Sequence, residues 1–336
     1  MPASKKSRKP SYTPAQYVEG ILRGDRIMLA RAITLVESRR PEHQAVAAEI
    51  IDRCLPHSGQ SLRLAVTGTP GAGKSTFIEA FGLQLIEKGH KVAVLAIDPS
   101  SHLSGGSILG DKTRMQQLAS DLRAFIRPSP AGTKLGGVAP NTREVIFLCE
   151  AAGYDRILVE TVGVGQSETA VHSMTDFFLL LLIPGAGDEL QGMKRGIVEM
   201  ADLIAINKAD GQRLKAAQRA QKEYQRALHL FPPKPSHWTP KVLTISALHK
   251  RGIDELLQLI EVFKTQMEKS GFLSQNRQKQ AVYWLHERID TALRNYLQQQ
   301  PEFKKRMLEA EEKVAAGTWS SLQGSLYLLE ALIKRN

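Results

Sequence analysis

Residues 62–76 read Leu-Arg-Leu-Ala-Val-Thr-Gly-Thr-Pro-Gly-Ala-Gly-Lys-Ser-Thr, and they carry the strongest structural signal in the sequence. The apolar run Leu62–Thr67 predicts a buried strand, and residues 76–87 after it predict a helix. Between the two, the segment Gly68-Thr69-Pro70-Gly71-Ala72-Gly73-Lys74-Ser75 matches G-x-x-x-x-G-K-[ST] at every position. Its glycines permit a turn in which successive backbone N–H groups and a helix N-terminus face one anion. The stretch therefore predicts a strand, a phosphate-binding loop and a helix.

Every residue from Gly68 to Thr76 is a candidate for nucleotide binding. Lys74 is expected to reach the β- and γ-phosphates, and Ser75 is expected to ligate Mg²⁺. The alternative is a glycine-rich turn without a ligand. The complete motif and its flanking strand and helix favour the phosphate loop.

Outward from this loop, short apolar runs alternate with helix-length segments. The runs lie at 62–67, 92–97, 157–159, 177–183, 203–206 and 242–245. Because continuous apolar runs are typical of strands buried on both faces, the pattern predicts an α/β fold with a mostly parallel sheet covered by helices. Helical periodicity precedes the sheet over residues 17–55, with a break at Pro41, and it is the only pattern after residue 246. We therefore expect a basic tail (1–14), an N-terminal helical extension (15–60), a P-loop domain (61–268) and a C-terminal helical arm (269–336).

Two of the predicted strands end in residues that suit a guanine base. Asn207-Lys208-Ala209-Asp210 follows the run at 203–206, and Ser246-Ala247-Leu248 follows the run at 242–245. The Asp210 carboxylate can accept hydrogen bonds from guanine N1–H and the exocyclic amine, a donor pair that adenine lacks. Lys208 is expected to lie over the base, Asn207 to brace the loop, and the Ala247 N–H to donate to guanine O6. Together with the phosphate loop, these segments favour GTP over ATP.

Acidic residues end two further strands. Asp98 follows the second apolar run, and Glu160 follows the third. Carboxylates at the carboxyl ends of strands beside a phosphate loop suit Mg²⁺ or its water shell. Asp111, in the glycine-rich segment 105–112, is a further carboxylate that reaches the metal if that segment closes. An Asp-Pro turn at Asp98 and a capping role for Asp111 are the structural alternatives.

Two glycine-rich loops supply candidates for the reaction itself. Gly163 is expected to present its N–H to the γ-phosphate and to lose that bond on hydrolysis. Gln166 either orients the attacking water or is a solvated loop residue. In the loop 184–196, Lys194 or Arg195 is a candidate source of transition-state charge, with a solvated loop as the alternative.

Composition limits the class of protein. The 336 residues carry a formal net charge of +11, concentrated in the windows 1–10, 111–143 and 208–226, each with a net +4. Residues 144–207 have a net charge of −7, so the basic total is local and is weak evidence for a nucleic-acid partner. No apolar run approaches the roughly 20 residues of a membrane span, and the N-terminus lacks the apolar core of a secretory signal. The two cysteines lack metal-ligand spacing, which favours reduced thiols and a cytoplasmic location.

These motifs together resemble the P-loop GTPases of the MeaB/ArgK type, the family of the methylmalonic aciduria type A protein. The resemblance covers roughly residues 15–336 and includes VTGTPGAGKST, AIDPSS, GGSILGDKTRM, ETVGVGQSE, PGAGDELQGMKRG, NKAD and ISAL in family order. The segment PGAGDELQGMKRG is the most family-specific of these. His102 departs from the family, which more often has proline at this position, and the basic tail has no assigned family counterpart.

The resemblance implies a GTP- and GDP-binding, Mg²⁺-dependent GTPase that assists cofactor loading and protection of an adenosylcobalamin-dependent acyl-CoA mutase, typically methylmalonyl-CoA mutase. It implies metal and switch roles for Ser75, Asp98, Asp111 and Glu160, a functional lysine at Lys194, and slow hydrolysis until the mutase binds. It also implies a homodimer formed through the C-terminal arm. The expected partners are the mutase and a second copy of the chain, without nucleic acid or membrane.

Two other functions remain as alternatives. An ArgK-type transport-system kinase would need a phosphotransfer acceptor site, which the sequence does not resemble. A nickel-type metallochaperone GTPase would need a cluster of cysteine and histidine, whereas the nine histidines here are scattered.

Overall fold

The computed structural model describes residues 12–38, 40–98, 115–130, 141–161, 167–185 and 195–333. The chain divides into two compact units, residues 1–276 and 277–336. The division falls within a helix, Phe272–Gln299, that begins just after the boundary expected from the sequence.

The first unit is built on a seven-stranded sheet in which every pair of neighbouring strands is parallel. The strands are β1 (Leu62–Gly68), β2 (Val92–Asp98), β3 (Ala124–Pro130), β4 (Arg156–Glu160), β5 (Phe177–Leu182), β6 (Leu203–Ile206) and β7 (Lys241–Thr244). Their order is β3-β2-β4-β1-β5-β6-β7, which places β1 at the centre. The predicted α/β fold with a parallel sheet is confirmed.

The edge strand β3 is the one that the apolar runs did not predict. Its sequence, Ala-Phe-Ile-Arg-Pro-Ser-Pro, contains three apolar residues before the two prolines. Proline lacks the N–H that a ladder needs, so it is tolerated mainly in edge strands. The position of β3 at the end of the sheet is consistent with that rule.

Helices cover the sheet and extend the chain at both ends. They are α1 (Pro14–Leu22), α2 (Arg26–Val36), α3 (Pro41–Cys54), α4 (Lys74–Glu87), α5 (Gln116–Ser120), α6 (Thr142–Ala151), α7 (Ser167–His172), α8 (Arg195–Met200), α9 (Leu214–Leu228), α10 (Ile253–Lys269), α11 (Phe272–Gln299), α12 (Pro301–Ala315) and α13 (Ser321–Ile333). Within the described residues, no helix is both long enough and apolar enough to cross a membrane.

Alternate side chains of the central strand β1 pack on one face of the sheet, because successive side chains of a strand point to opposite faces. Leu62, Leu64 and Val66 belong to the apolar cluster that includes residues of α4 and α10. In that cluster the rings of Phe77 and Phe81 stack at a centroid distance of 5.3 Å. Full burial of such a side chain stabilises the fold by about 1.5–3 kcal/mol, so this face holds the phosphate loop's strand and helix together.

The N-terminal helical pattern forms three helices instead of two. Gly24 takes a φ of +77°, and the Asp25 side chain then accepts from the Ile27 N–H at 2.8 Å as the N-cap of α2. The end of α2 is tied to the sheet, because Arg127 of β3 forms an ion pair with Glu37. The helical extension is therefore packed on the first unit as a structured part of it.

The second unit contains most of α11 together with α12 and α13. Tyr327 donates to Glu309 Oε2 at 2.8 Å, which joins α13 to α12. Ser320 accepts from the Gln323 N–H at 3.1 Å and so acts as the N-cap of α13.

Both cysteines are free and buried. Burial raises the pKa of the Cys54 thiol to about 11, and the nearby Arg53 lowers it only in part. Burial also raises the pKa of Cys149. Because the thiolate is the reactive form of cysteine, both side chains behave as inert core residues near neutral pH.

Candidate functional site

The phosphate-loop motif leaves the carboxyl end of β1, at the centre of the sheet, and ends in the first turn of α4. A Cβ at Gly68 would lie 2.2 Å from the carbonyl oxygen of Leu181 on β5, so only glycine fits there. Gly73 takes a φ of +86° immediately before Lys74, the first residue of α4. The loop can therefore run close to the neighbouring strand and then turn sharply into the helix.

The Lys74 ammonium lies over this loop. It donates to the carbonyl oxygens of Gly68 at 2.8 Å and Thr69 at 3.3 Å. Burial lowers the pKa of Lys74, while the carboxylates of Glu160 and Glu168 raise it in part. The lysine is thus a partly desolvated cation whose donors can turn from backbone carbonyls to a more strongly charged acceptor.

Ser75 and Glu160 are brought together by the packing of β4 beside β1. The Ser75 hydroxyl lies 3.3 Å from Glu160 Oε1, and the glutamate is 9% exposed. A hydroxyl and a carboxylate are oxygen donors of the kind that Mg²⁺ prefers, so this pair fits such an ion.

Of the other predicted metal ligands, Asp98 is described by its backbone alone and Asp111 is not described. Asp98 ends β2, and the register pairs Ala96 of that strand with Glu160, so the backbones of both acidic residues reach the same edge of the sheet. Asp111 lies outside the described residues, as do Gly163 and Lys194. Among the residues that the structure describes, no group of three or more His, Cys, Asp or Glu side chains forms a metal site.

Asn207, at the end of β6, connects three separate loops. Its side-chain Nδ2 donates to the Ala72 carbonyl of the phosphate loop at 2.8 Å. Its Oδ1 accepts from the Ala247 N–H at 3.0 Å. The residue is only 2% exposed, and a Cβ at Gly73 would lie 2.8 Å from its Nδ2. The asparagine therefore braces the loops by direct contact.

The Ala247 amide, the predicted donor to a guanine O6, has an acceptor within the protein. It was expected to donate to a guanine O6, whereas here it donates to Asn207 Oδ1. A guanine carbonyl would have to share this donor or replace the asparagine oxygen. Leu248, the next residue of the motif, is 73% exposed and packs little against the fold.

Asp210 is held at the same edge by the segment that follows β7. The Ser246 hydroxyl donates to Asp210 Oδ2, and the Ala209 N–H donates to the Ile245 carbonyl at 2.9 Å. Lys208, the residue between Asn207 and Ala209, takes a φ of +60°, which is unfavourable for a residue with a side chain. Such strain is typical of positions that the surrounding structure fixes for a function.

Glu168 is a site residue that the sequence analysis missed. It lies in the first turn of α7, is fully buried, and acts electrostatically on Lys74. A carboxylate near a desolvated lysine raises the lysine's pKa and so favours its charged form. An acidic residue at a helix start was the available signal, but that signal is shared with ordinary capping residues.

The sequence matches a known protein family over most of its length. Residues 29–302 match the family described as methylmalonyl Co-A mutase-associated GTPase MeaB. The chain is 51% identical over 318 residues to GTPase ArgK of Escherichia coli (strain K12), covering 95% of this chain and 96% of that protein.

A mitochondrial relative and a solved structure are also similar over nearly the whole chain. The methylmalonic aciduria type A homolog of Mus musculus, described as mitochondrial, is 46% identical over 327 residues, covering 94% of this chain and 79% of that protein. A crystal structure described as LAO/AO transport system kinase superposes with a TM-score of 0.77 at 44% identity, covering 97% of this chain and 99% of that one.

Proposed function

We propose, from the premise that this chain belongs to the MeaB family of methylmalonyl-CoA mutase-associated GTPases, that it is a Mg²⁺-dependent GTPase chaperone of an adenosylcobalamin-dependent mutase. The mutase is proposed to be methylmalonyl-CoA mutase, and the assistance consists of cofactor loading and protection. Hydrolysis is proposed to be slow until the mutase binds. The observation that carries the nucleotide assignment is Asn207, which joins the phosphate loop to both guanine-reading segments.

Guanine specificity is assigned to Asp210. Its carboxylate is held by the Ser246 hydroxyl and is available to accept from N1–H and the exocyclic amine of guanine. The Lys208 side chain is proposed to lie along the base, and the Ala247 N–H to be shared between Asn207 Oδ1 and guanine O6. Guanine would thus take over part of a hydrogen bond that the Ala247 N–H makes within the protein.

The hydrolytic mechanism is one of position and charge. Lys74 is proposed to transfer its donors from the carbonyls of Gly68 and Thr69 to phosphate oxygens. Ser75 and Glu160 would hold Mg²⁺, joined by Asp98 and Asp111, directly or through water. Mg²⁺, when bound, withdraws negative charge from the β- and γ-phosphates and thereby favours cleavage of the bond between them.

Two further residues complete the proposed hydrolytic site. Gly163 is assigned to the γ-phosphate from its position after the strand that ends at Glu160, and Lys194 is assigned to transition-state charge, a role that the family resemblance supports. No general base is assigned to any side chain, because a loose phosphoryl-transfer transition state depends mainly on positioning and charge.

The proposed partners are the mutase and a second copy of this chain. The mutase is proposed because the matching family is one of methylmalonyl Co-A mutase-associated GTPases. Dimerisation is proposed through the helical arm 269–336, which exposes a row of large apolar side chains on α11. We propose a cytoplasmic location, and no role for nucleic acid or membrane.

The decisive experiment measures GTP hydrolysis with and without the methylmalonyl-CoA mutase of the same organism. We expect Mg²⁺-dependent hydrolysis of GTP but not ATP, and acceleration when the mutase is added. GTP hydrolysis that the mutase leaves unchanged contradicts the chaperone assignment, whereas equal turnover of ATP contradicts the guanine assignment.

Asp210→Asn is the matched variant for base recognition. Xanthine carries a carbonyl where guanine has the exocyclic amine, so an amide donor suits xanthine and a carboxylate suits guanine. We expect the variant to prefer xanthosine triphosphate. Retention of guanine preference would show that Asp210 does not read the base.

A second candidate function has one observation in its favour, the likeness to the structure described as LAO/AO transport system kinase. That function would transfer the γ-phosphate to a protein acceptor instead of to water. Radiolabelled GTP incubated with a purified periplasmic amino-acid-binding protein would distinguish the two, since a kinase yields labelled protein and a hydrolase yields labelled free phosphate.

A further inference from the structure

Helix α9 (Leu214–Leu228) carries four cations in one row. Lys215, Arg219, Lys222 and Arg226 are all exposed and are spaced by four, three and four residues. At 3.6 residues per turn they fall within an arc of about 60°. We call these four side chains the basic stripe.

The opposite side of α9 fixes the direction in which the stripe faces. Ala217 and Tyr224 are buried, and the Gln221 side chain donates to the Val242 carbonyl of β7 at 2.8 Å. These three positions lie about half a turn away from the stripe, on the face that packs against the sheet. The stripe is therefore held outward by a helix that is anchored along its length.

The charges of the stripe are not compensated within the described part of the chain. None of the four side chains has a carboxylate within ion-pair distance among the residues that the structure describes. Glu223 is the single acidic residue of the helix and lies on its flank. Because like charges three or four residues apart destabilise a helix, the row carries a repulsive cost, and no ion pair within the described ranges offsets it.

The stripe is also close in sequence to the guanine-reading loop. Asp210 is followed by one turn of 3-10 helix, Gly211–Arg213, and α9 begins at the next residue. A partner that presses on α9 therefore acts on an element continuous with Asp210. If that partner binds more tightly in one nucleotide state, the nucleotide in turn affects the partner's affinity to the same degree.

We propose that the basic stripe is a docking surface for an acidic protein surface, that of the mutase partner. This inference rests on the proposed function. The arc of the stripe contains no aromatic side chain for stacking on bases and no large apolar side chain for entry into a lipid surface. A rigid row of unpaired cations on a folded helix fits a protein surface that carries the complementary carboxylates.

The experiment measures binding of the full chain to immobilised methylmalonyl-CoA mutase of the same organism, at several salt concentrations. The test variant is Lys215→Gln/Arg219→Gln/Lys222→Gln/Arg226→Gln. We expect its association rate constant to fall at least about tenfold at about 50 mM salt, with the difference vanishing near about 500 mM. Basal GTP hydrolysis should stay unchanged, because the stripe does not touch the site, and the thermal midpoint should not fall, because the substitutions remove repulsion between like charges on α9.

The matched control removes four exposed cations from other surfaces of the first unit, as Arg40→Gln/Lys88→Gln/Lys91→Gln/Lys269→Gln. It changes the net charge equally, and we expect it to bind the mutase like the unaltered chain. Equal loss in both variants, or no loss in the stripe variant, overturns the inference while leaving the proposed function intact. Failure of the unaltered chain to bind the mutase contradicts the proposed function and the inference with it.

Duplex DNA and anionic phospholipid vesicles serve as alternative probes in the same measurement. Binding of either probe that depends on the stripe, with mutase binding unaffected, overturns the inference in favour of that class of partner. Mutase binding that depends on the stripe, with neither probe retained at about 150 mM salt, supports it.

Discussion

At the scale of single residues, Asn207 has consequences for both stability and binding. Its amide satisfies the Ala72 carbonyl and the Ala247 N–H, and both bonds are buried. Removing it leaves one buried donor and one buried acceptor without that partner, at about 1–3 kcal/mol each. We expect Asn207→Ala to lower the free energy of unfolding by about 2–4 kcal/mol and GTP affinity at least tenfold, measured by urea unfolding and fluorescent-nucleotide binding.

Asn141→Ala is the control for this prediction. The Asn141 amide also donates to a backbone carbonyl, that of Val36, but this bond joins the start of α6 to the end of α2 instead of joining the phosphate loop to the segment 246–248. This variant should lose stability without losing GTP affinity. Equal effects of the two substitutions on affinity would contradict a specific role for Asn207.

A second prediction at this scale concerns the charge of Lys74. Burial lowers its pKa below the ordinary 10.5, against the opposing effect of Glu160 and Glu168. The folded protein therefore binds this proton less tightly than the unfolded chain, and the resulting cost is fully present at neutral pH. As pH rises through the folded-state pKa toward 10.5, the cost disappears and stability is gained.

Lys74→Met isolates this contribution, because methionine keeps most of the apolar stem without the charge. We expect the unfolding free energy of the unaltered protein to rise relative to that of the variant as the pH is raised from neutrality toward 10.5. Urea unfolding at each pH measures the difference, and a constant difference would mean that the lysine titrates normally. The variant should also lose GTP hydrolysis.

At the scale of secondary-structure elements, an ion pair joins β1 to α6 on the face opposite α4. Arg63 donates to Glu150 through Nε and Nη2, each at 2.9 Å, and both side chains are buried. Burial raises the pKa of Glu150, but the Arg63 charge and hydrogen bonds from Arg63, Ser61 and Gly59 outweigh it, so the net pKa is lowered. Its stabilising contribution is present above about pH 4.5 and is lost as pH falls through the folded-state value.

Substitution of this pair should separate the cost of a broken pair from the value of an intact one. Arg63→Met leaves a buried carboxylate without its cation, and we expect a loss of about 3–5 kcal/mol. Arg63→Met/Glu150→Leu removes both charges and should restore most of that stability. Because the double variant has no carboxylate to protonate, its stability should fall less than that of the unaltered protein between about pH 5 and pH 3. Urea unfolding at both pH values measures these differences, and parallel acid losses would contradict the assignment.

The elements also show what sequence can predict. Buried parallel strands are continuous apolar runs, so six of the seven strands were located from sequence, and β3 was missed because of its prolines. Loops that follow the carboxyl ends of parallel strands lie at the same edge of the sheet. The motifs that contain Ser75, Asn207 and Ser246 could therefore be assigned to one site from the sequence. Glu168 could not, since its burial depends on how α7 packs and not on its residue type.

At the scale of the whole molecule, the net charge is unevenly distributed. Four of the six cations in the window 208–226 form the basic stripe, and Lys208 belongs to the loop that is proposed to read guanine. Other cations form ion pairs within the protein, as in Arg63–Glu150 and Lys234–Asp202. The total of +11 thus contains one outward-facing row that is available to a partner.

The second unit, in contrast, exposes apolar surface. The large apolar side chains on α11 that face one side of the helix are 45–61% exposed, namely Val282, Leu285, Ile289, Leu293 and Tyr296. Their spacing places them within an arc of about 80°. Contiguous apolar surface of this kind is typical of protein interfaces, and a second copy of the chain is the occupant proposed above.

Ile289→Asp/Leu293→Asp tests that dimer, because it introduces two charges into the centre of the apolar row. Each side chain contributes about 1.5–3 kcal/mol when buried, so the dissociation constant should rise at least about a hundredfold. Sedimentation should then report a monomer at concentrations where the unaltered chain is a dimer, and GTP affinity should be unchanged, because the nucleotide site belongs to the first unit. Asn295→Asp/Gln298→Asp adds the same two charges to the opposite side of α11 and should leave the dimer intact. A monomeric unaltered chain, or equal dissociation of both variants, would rule out this face of α11 as the dimer contact.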